Sequence, residues 1–156
     1  FGHWELDTVV SSRGKSKACV ATFIERKTRM YVALKIPDRT AYSMEVAWGV
    51  VASQYPKAAF QSATLDRGKE FACYHALEQH LGFKVYFADP CSSWQRGANE
   101  NGNDLLREFF PKGPDFATVT DDELAHAIRL INHRPRKCLS WRSAHEAFME
   151  EVSHLA

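Results

Sequence analysis

Three short runs near the start of the chain limit its fold more than anything that follows. Residues 3–10 (HWELDTVV), 18–24 (ACVATFI) and 30–36 (MYVALKI) are rich in aromatic and β-branched side chains, the types that suit a pleated, half-buried surface. The polar segment 11–17, with Gly14 inside it, fits a hairpin loop, and 25–28 fits a tight turn. Three strands joined this way predict an antiparallel meander. Side chains alternate along a strand, so His3, Glu5 and Asp7 share one face of the first run and Trp4, Leu6 and Thr8 the other.

The pattern breaks at Pro37-Asp38-Arg39-Thr40. Residues 41–55 then carry Met44, Val46, Ala47, Val50 and Val51 at near-helical spacing, with Thr40 as N-cap and Pro56 as stop. A fourth strand over 60–65 delivers Asp66 at its C-terminal end, and Arg67-Gly68 turns the chain. A helix over 70–81 ends at Gly82, and a fifth strand over 84–88 is closed by Asp89-Pro90. Two more helices are expected over 121–131 and 143–152. The order β-β-β-α-β-α-β followed by helices reads as α/β: a mixed five-stranded sheet flanked by helices on both faces. No repeat, low-complexity segment or linker interrupts 1–156, which is read as a single domain.

Composition excludes several classes. With 45% hydrophobic and 25% charged residues the chain is ordinary globular protein, not a disordered one. No apolar run approaches the ~20 residues that span a bilayer, and no signal peptide opens the chain. The first residue is Phe1, and Trp4 already sits in a strand-like pattern, so a domain taken from a longer protein is expected. Cys19, Cys73, Cys91 and Cys138 show no CxxC spacing and read as reduced thiols of a cytosolic protein. Cys73 and His75 are half a zinc site without a second pair, and zinc is rejected. Net charge is +1, but cations cluster at Arg13, Lys15 and Lys17, at Arg26, Lys27 and Arg29, and at His133, Arg134, Arg136, Lys137 and Arg142. Basic faces therefore coexist with a near-neutral total, and a merely solvated face is the plainer reading of any one cluster.

The stretch 94–107 (WQRGANENGNDLLR) packs amides, glycines and arginines around Glu100. Asn99 as N-cap would put Glu100 in the first turn of a helix, where the dipole favours its charge. If the first and fourth strands are neighbours, Asp7 and Asp66 stand ~5 Å apart, and Glu100 could supply further oxygens. Oxygen-only donors select Mg²⁺ or Mn²⁺, and two such ions ~4 Å apart serve phosphodiester displacement. There is no Ser-His-Asp or Cys-His signature to compete. With 19 acidic residues in the chain, spacing alone leaves open that these three are solvated surface groups.

Local context goes further. Gly2-His3-Trp4-Glu5-Leu6-Asp7, Thr64-Leu65-Asp66-Arg67-Gly68-Lys69-Glu70-Phe71, Tyr86-Phe87-Ala88-Asp89-Pro90 and Ser93-Trp94-Gln95-Arg96-Gly97-Ala98-Asn99-Glu100-Asn101 resemble the catalytic core of bacterial DDE transposases of the IS30 family. Leu105-Leu106-Arg107, Phe110-Pro111-Lys112-Gly113 and Asn132-His133-Arg134-Pro135-Arg136-Lys137 extend the likeness in the family's order over nearly the whole chain. The resemblance implies an RNase H-like fold, as in retroviral integrases, and a metal-dependent triad at Asp7, Asp66 and Glu100 using two Mg²⁺ or Mn²⁺ ions. It implies DNA as partner, both transposon ends and target, a homo-oligomer when active, a bacterial cytoplasmic location on the nucleoid, and no membrane. It also implies an N-terminal helix-turn-helix region that is absent from this sequence. Two departures stand out. Leu6 replaces a residue that is usually small, commonly glycine, and Asp104 replaces a glycine. Asp104 lies one helical turn after Glu100 on the same face and could add charge to the metal site or repel a phosphate. The tail 141–148 is looser than the family's threonine-proline version.

Roles follow for the neighbours. Arg96 and Arg107 flank Glu100 and suit phosphate, although Arg107 could equally pair with Glu108 or Asp104. Asn99, Asn103 and Lys112 join the set of DNA-binding candidates, as do Arg67 and Lys69 beside Asp66. Trp94 could stack on an extruded base, with core packing the plainer reading. Gly97 and Gly102 would admit close backbone approach. Glu70 reads as a helix N-terminal residue rather than a fourth ligand. Arg134, Arg136 and Lys137 would follow the DNA backbone without reading sequence. The implied reaction is attack by water at the transposon end, freeing a 3′-hydroxyl that attacks a second phosphodiester. Alternatives are an RNase H-like nuclease that cuts without joining, a non-catalytic DNA-binding or assembly module, and, remotely, a glycosidase with paired carboxylates.

Overall fold

A computed structural model of the chain describes residues 1–72, 74–111 and 115–155. The opening runs form β1 (His3–Val10), β2 (Cys19–Glu25) and β3 (Tyr31–Ile36), paired antiparallel in chain order. Their connections are shorter than the dozen or so residues that a parallel crossover requires. There follow α1 (Ala41–Ser53), β4 (Ser62–Leu65), α2 (Tyr74–Leu81), β5 (Lys84–Phe87), α3 (Gly97–Phe109), α4 (Asp121–His133) and α5 (Ala144–Ser153). The sheet runs β3-β2-β1-β4-β5, with β4 parallel to β1 and β5 parallel to β4. The expected mixed five-stranded sheet is present, and the first and fourth strands are neighbours.

Helix starts are local chemistry. Thr40 accepts the Ser43 N–H at 3.2 Å, and Thr120 with Glu123 and Ser143 with Glu146 form reciprocal capping boxes. The helix expected over 70–81 divides into a 3-10 turn, Lys69–Phe71, and α2. Glu70 and Phe71 are both drawn inward there, Glu70 by Arg39 and Thr8.

Two cores lie on opposite faces of the sheet, and β2 is buried along its whole length between them. On one face, Trp4 and Leu6 meet Met44, Trp48 and Val51 of α1, with Phe60 and Phe148. Trp4 and Phe60 stack at 5.3 Å, and Trp4 meets Trp48 edge-on at 6.2 Å. On the other face, Leu106 of α3 and Leu124 and Ile131 of α4 cover Val20, Ile24 and Tyr31. Each such side chain contributes roughly 1.5–3 kcal/mol by leaving water. Asn132 docks α4 on β3, accepting the Tyr31 N–H at 2.9 Å and donating to the Tyr31 carbonyl at 2.7 Å. Gly102 lets α3 sit close: a Cβ there would lie 2.7 Å from the Tyr31 ring. So α3 crosses the face of the sheet on which β1 presents Glu5 and Asp7.

Candidate active site

Glu5 is the last β1 residue paired with β4, opposite Thr64. Two residues beyond that pair stand Asp7, in β1, and Asp66, just past the end of β4. The 3-10 turn Ser93–Arg96, ahead of α3, brings Arg96 between them. Its guanidinium lies 3.6 Å from Asp7 Oδ1 and 3.5 Å from Asp66 Oδ2. Asp66 and Arg96, together with Arg67 and residues 88–92, line a cleft of about 480 Å³.

Each carboxylate is held from behind. Asp7 Oδ1 accepts the Thr8 N–H at 2.8 Å, and Asp7 Oδ2 accepts from Asn103 Nδ2 at 3.0 Å. Asn103 Oδ1 in turn accepts from the Tyr31 hydroxyl at 2.9 Å, so the orientation of Asp7 is tied to the core. Asp66 Oδ1 accepts the Gly68 N–H at 2.8 Å. Burial pushes the Asp7 carboxyl above its ordinary range, against the pull of the Thr8 N–H and Arg96, with Asp66 and Glu70 adding repulsion.

The start of α3 differs from the sequence expectation. Arg96, not Asn99, stands at the N-cap, and its own side chain makes no capping bond. The orphan N–H of Asn99 is taken instead by Glu5 Oε2 at 2.8 Å, from a strand 94 residues away. Asn99 is fully buried and accepts from the Thr22 hydroxyl at 3.1 Å. Its assignment as a DNA contact is therefore corrected: it faces the sheet, not solvent. A buried carboxylate under a helix N-terminus meets both the unpaired N–H groups and the dipole. Glu5 also pairs with Arg26 at 3.1 Å, while burial still raises its carboxyl above the usual range. Glu5 is a positioning residue that sequence reading missed, and Asn103, expected as a DNA contact, is placed between Asp7 and Tyr31. The available signal for Glu5 was its place on the same strand face as Asp7.

Glu100 falls in the first turn of α3, as expected. Its side chain is exposed and makes no hydrogen bond or ion pair among the described residues. The structure thus brings Asp7 and Asp66 together and leaves Glu100 outside their contacts, one helical turn from Asn103. Among the described residues no group of three or more acidic, histidine or cysteine side chains is set to hold a metal ion; between the two aspartates it is Arg96 that intervenes. Asp104 is exposed and likewise makes no hydrogen bond or ion pair among the described residues.

Glu70 stands in the first turn of the Lys69–Phe71 3-10 helix, as expected of a helix N-terminal residue, but it is drawn off the surface. It is 3% exposed, accepts from the Arg39 guanidinium (Nε at 3.1 Å) and accepts from the Thr8 hydroxyl at 3.3 Å. A Cβ on Gly68 would lie 2.5 Å from Glu70 Oε2 and 2.8 Å from Asp66 Oδ1, so a side chain there would displace both carboxylates.

The remaining candidates divide. Arg67, Lys69 and Lys137 are exposed. Trp94 is 74% exposed, which overturns core packing as its plain reading. Arg107 donates to the Val10 carbonyl at 3.1 Å and lies over the Phe116 ring, pairing with neither Glu108 nor Asp104. Arg134 pairs with Glu108 at 2.9 Å. Arg136 is partly buried with its Nε unpartnered. Lys112, and Cys73 of the rejected zinc pair, lie outside the described residues.

Residues 1–93 match the family model of the integrase core domain. The chain belongs to that family. The match takes in both aspartates and ends before Glu100. This integrase core is 38% identical over 142 residues to the transposase for insertion sequence element IS1086 of Cupriavidus metallidurans, covering 91% of this chain and 41% of that protein. It is 38% identical over 153 residues to the transposase InsI for insertion sequence element IS30C of Escherichia coli, covering 98% of this chain and 39% of that protein. The likeness to IS30 transposases is thus met, and the chain spans about two fifths of the length of these relatives. The catalytic core domain of BIV integrase superposes with a TM-score of 0.74 at 18% identity, covering 98% of this chain and 97% of that one. The fold is the RNase H-like, integrase-type α/β fold. No helix among the described residues is long and apolar enough to cross a membrane.

Proposed function

We propose that this chain is the catalytic core of a DNA transposase, a divalent-metal-dependent polynucleotidyl transferase that cuts at transposon ends and joins the freed 3′-hydroxyls to target DNA. The observation that carries the reading is the Asp7–Asp66 pair with a cationic group already between the two carboxylates, in a chain of the integrase core family. Two acids held side by side by a guanidinium make a place for positive charge, and an all-oxygen donor set suits Mg²⁺ or Mn²⁺. Asp7, Asp66 and Glu100 would hold the ions. When bound, a pair of such ions activates an attacking oxygen and stabilises a leaving one.

The chain's own groups do the rest. Asn103 and Tyr31 fix the orientation of Asp7, and the Gly68 N–H fixes Asp66. Glu5 anchors the first turn of α3, and with it the backbone beside Glu100. Arg96, once displaced from the aspartates, is within reach of a substrate phosphate, where its planar fork matches two oxygens. Arg67, Lys69 and Lys137 offer exposed charge to the DNA backbone. In the first step a water oxygen bonds to phosphorus and the bond to the 3′-oxygen breaks. In the second, that 3′-oxygen bonds to a target phosphorus and displaces the target's own 3′-oxygen. In each step the proton lost by the attacking oxygen balances the one gained by the leaving oxygen.

The reading includes a longer protein whose helix-turn-helix region recognises transposon ends, DNA as partner, a homo-oligomer when active, and a place beside DNA in a bacterial cytoplasm. It is supported by relatives that are transposases more than twice as long as this chain. The test supplies labelled, pre-cut 3′-hydroxyl ends and a target plasmid with Mg²⁺. Wild-type protein yields joined product, and Asp66→Asn and Glu100→Gln abolish it. Joining by either variant overturns the triad, and cutting without joining by wild-type protein would return the chain to the nuclease reading.

A further inference from the structure

The Ser93–Arg96 turn separates two clefts. Arg96 lines the one that holds Asp66, and Trp94, two residues earlier, lines a second of about 720 Å³. Its floor is the start of β1 and the end of β2, and its walls include Arg26, Arg29, Arg136 and the first turn of α3. The cations in it are not alike. Arg26 is neutralised by Glu5, and Lys27 pairs with Glu151. Arg29 and Arg136 make no ion pair among the described residues. Arg136 is desolvated, has a buried Nε without a partner, and feels repulsion from Arg29 and Arg134. The acids in the wall are already used: Glu5 serves Asn99 and Arg26, and Glu25 accepts from the Gly2 N–H, the Thr28 N–H and the Thr28 hydroxyl.

A half-buried pair of arginines without ion-pair partners beside an exposed indole is the combination that binds unpaired nucleic acid, phosphate on the guanidinium and base on the ring. A base within a duplex has both faces covered by its neighbours, so the Trp94 ring can stack only on one that has left the stack. The cleft also lies at the right place. Glu5, on its floor, and Asp7, at the carboxylate pair, are two strand residues apart on one face, about 7 Å, which one nucleotide of extended backbone bridges.

We propose that this cleft takes one unpaired nucleotide of the DNA strand next to the point of cleavage, its base on Trp94 and its phosphate between Arg29 and Arg136. The proposal rests on reading Asp7 and Asp66 as the phosphodiester-processing pair.

The test is fluorescence anisotropy of a labelled hexathymidylate and of a duplex of equal length, in chelator so that no reaction occurs. Wild-type chain is expected to prefer the single strand. Trp94→Ala weakens that binding about tenfold or more. Arg29→Asn weakens it and reduces the salt dependence by up to one phosphate, about 0.7 in the log–log slope. Asn suits the left-handed backbone of Arg29, φ 63°, so this variant keeps its fold even if Arg136→Gln does not. No detectable binding, a preference for duplex, or wild-type affinity in both Trp94→Ala and Arg29→Asn overturns the proposal. Joining activity alongside any of those results removes the cleft assignment alone, whereas absent joining with intact single-strand binding removes the transferase reading alone.

Discussion

Arg96 stands where a cation between Asp7 and Asp66 would stand, 3.6 Å from one carboxylate and 3.5 Å from the other. At an effective dielectric near 20, each contact amounts to about 4 kcal/mol before solvent screening, and partial exposure lowers the net value well below that. The pair is nonetheless a competitor for any divalent ion. Arg96→Ala is expected to bind Mn²⁺ roughly tenfold more tightly in calorimetry without DNA, a gain of about 1.4 kcal/mol. In chelator the same variant should melt below wild type, because two adjacent carboxylates then repel without a counter-ion. Equal or weaker Mn²⁺ binding would show that Arg96 does not compete.

Asn103 joins Asp7 to the buried Tyr31 hydroxyl. Asn103→Ala removes both bonds and leaves that hydroxyl to Thr22, at a cost of about 1 kcal/mol. Tyr31→Phe removes only the outer bond. Both should lower the melting temperature, but Asn103→Ala should weaken Mn²⁺ binding more than Tyr31→Phe does. Equal metal affinity in the two variants would reduce Asn103 to a purely structural role.

At Gly102 two effects oppose each other. Alanine gains up to about 1 kcal/mol of helix propensity over glycine. Its Cβ, however, would lie 2.7 Å from the ring of Tyr31, a side chain fully buried beneath α3 and α4, and overpacking costs about 1–3 kcal/mol. The clash wins because the ring has nowhere to go. Gly102→Ala is expected to be destabilised by about 1 kcal/mol in urea denaturation, and to weaken Mn²⁺ binding by lifting Asn103 and Glu100 from the sheet. A more stable variant would mean that α3 packs less tightly than the structure has it.

Glu5 gives a pH signature. Burial raises its carboxyl in the folded chain, more than the Asn99 N–H and Arg26 lower it. The folded state therefore holds the proton to higher pH than the unfolded state does. That contribution to stability is complete below the unfolded value and is lost as pH rises through the folded one. Glu5→Gln does not titrate, so any deficit against wild type should be larger near pH 4 and shrink toward pH 7 in parallel thermal melts. A deficit that grows with pH would mean that the charged form is the favoured one.

Much of this molecule was legible residue by residue. The alternation in HWELDTVV placed Trp4 and Leu6 in one core and Glu5 and Asp7 on the opposite face. Thr40 marked the helix start that it caps, because a cap joins a side chain to an N–H within three residues. Asp66 at the end of a strand was legible for the same local reason. Asn99 was not: its local preference to cap gave way to Glu5, which reaches the same helix end across the sheet. Trp94 was misread because an indole in sequence carries no sign of whether a core will cover it. Glu70 is the helix-start residue it looked to be, but its burial against Arg39 and Thr8 was not legible.

By itself, then, the sequence determined the strands, the capped helices and the family, since these rest on periods of two and 3.6 residues and on short motifs. Only the tertiary structure decided that Arg96 closes the aspartate pair, that Glu5 anchors α3, that Glu100 stands outside the contact, and that Trp94 faces a second basic cleft. Each of those depends on how closely α3 settles over the sheet, which Gly102 and the Tyr31 ring set by contact, and sequence spacing does not encode contact across a sheet.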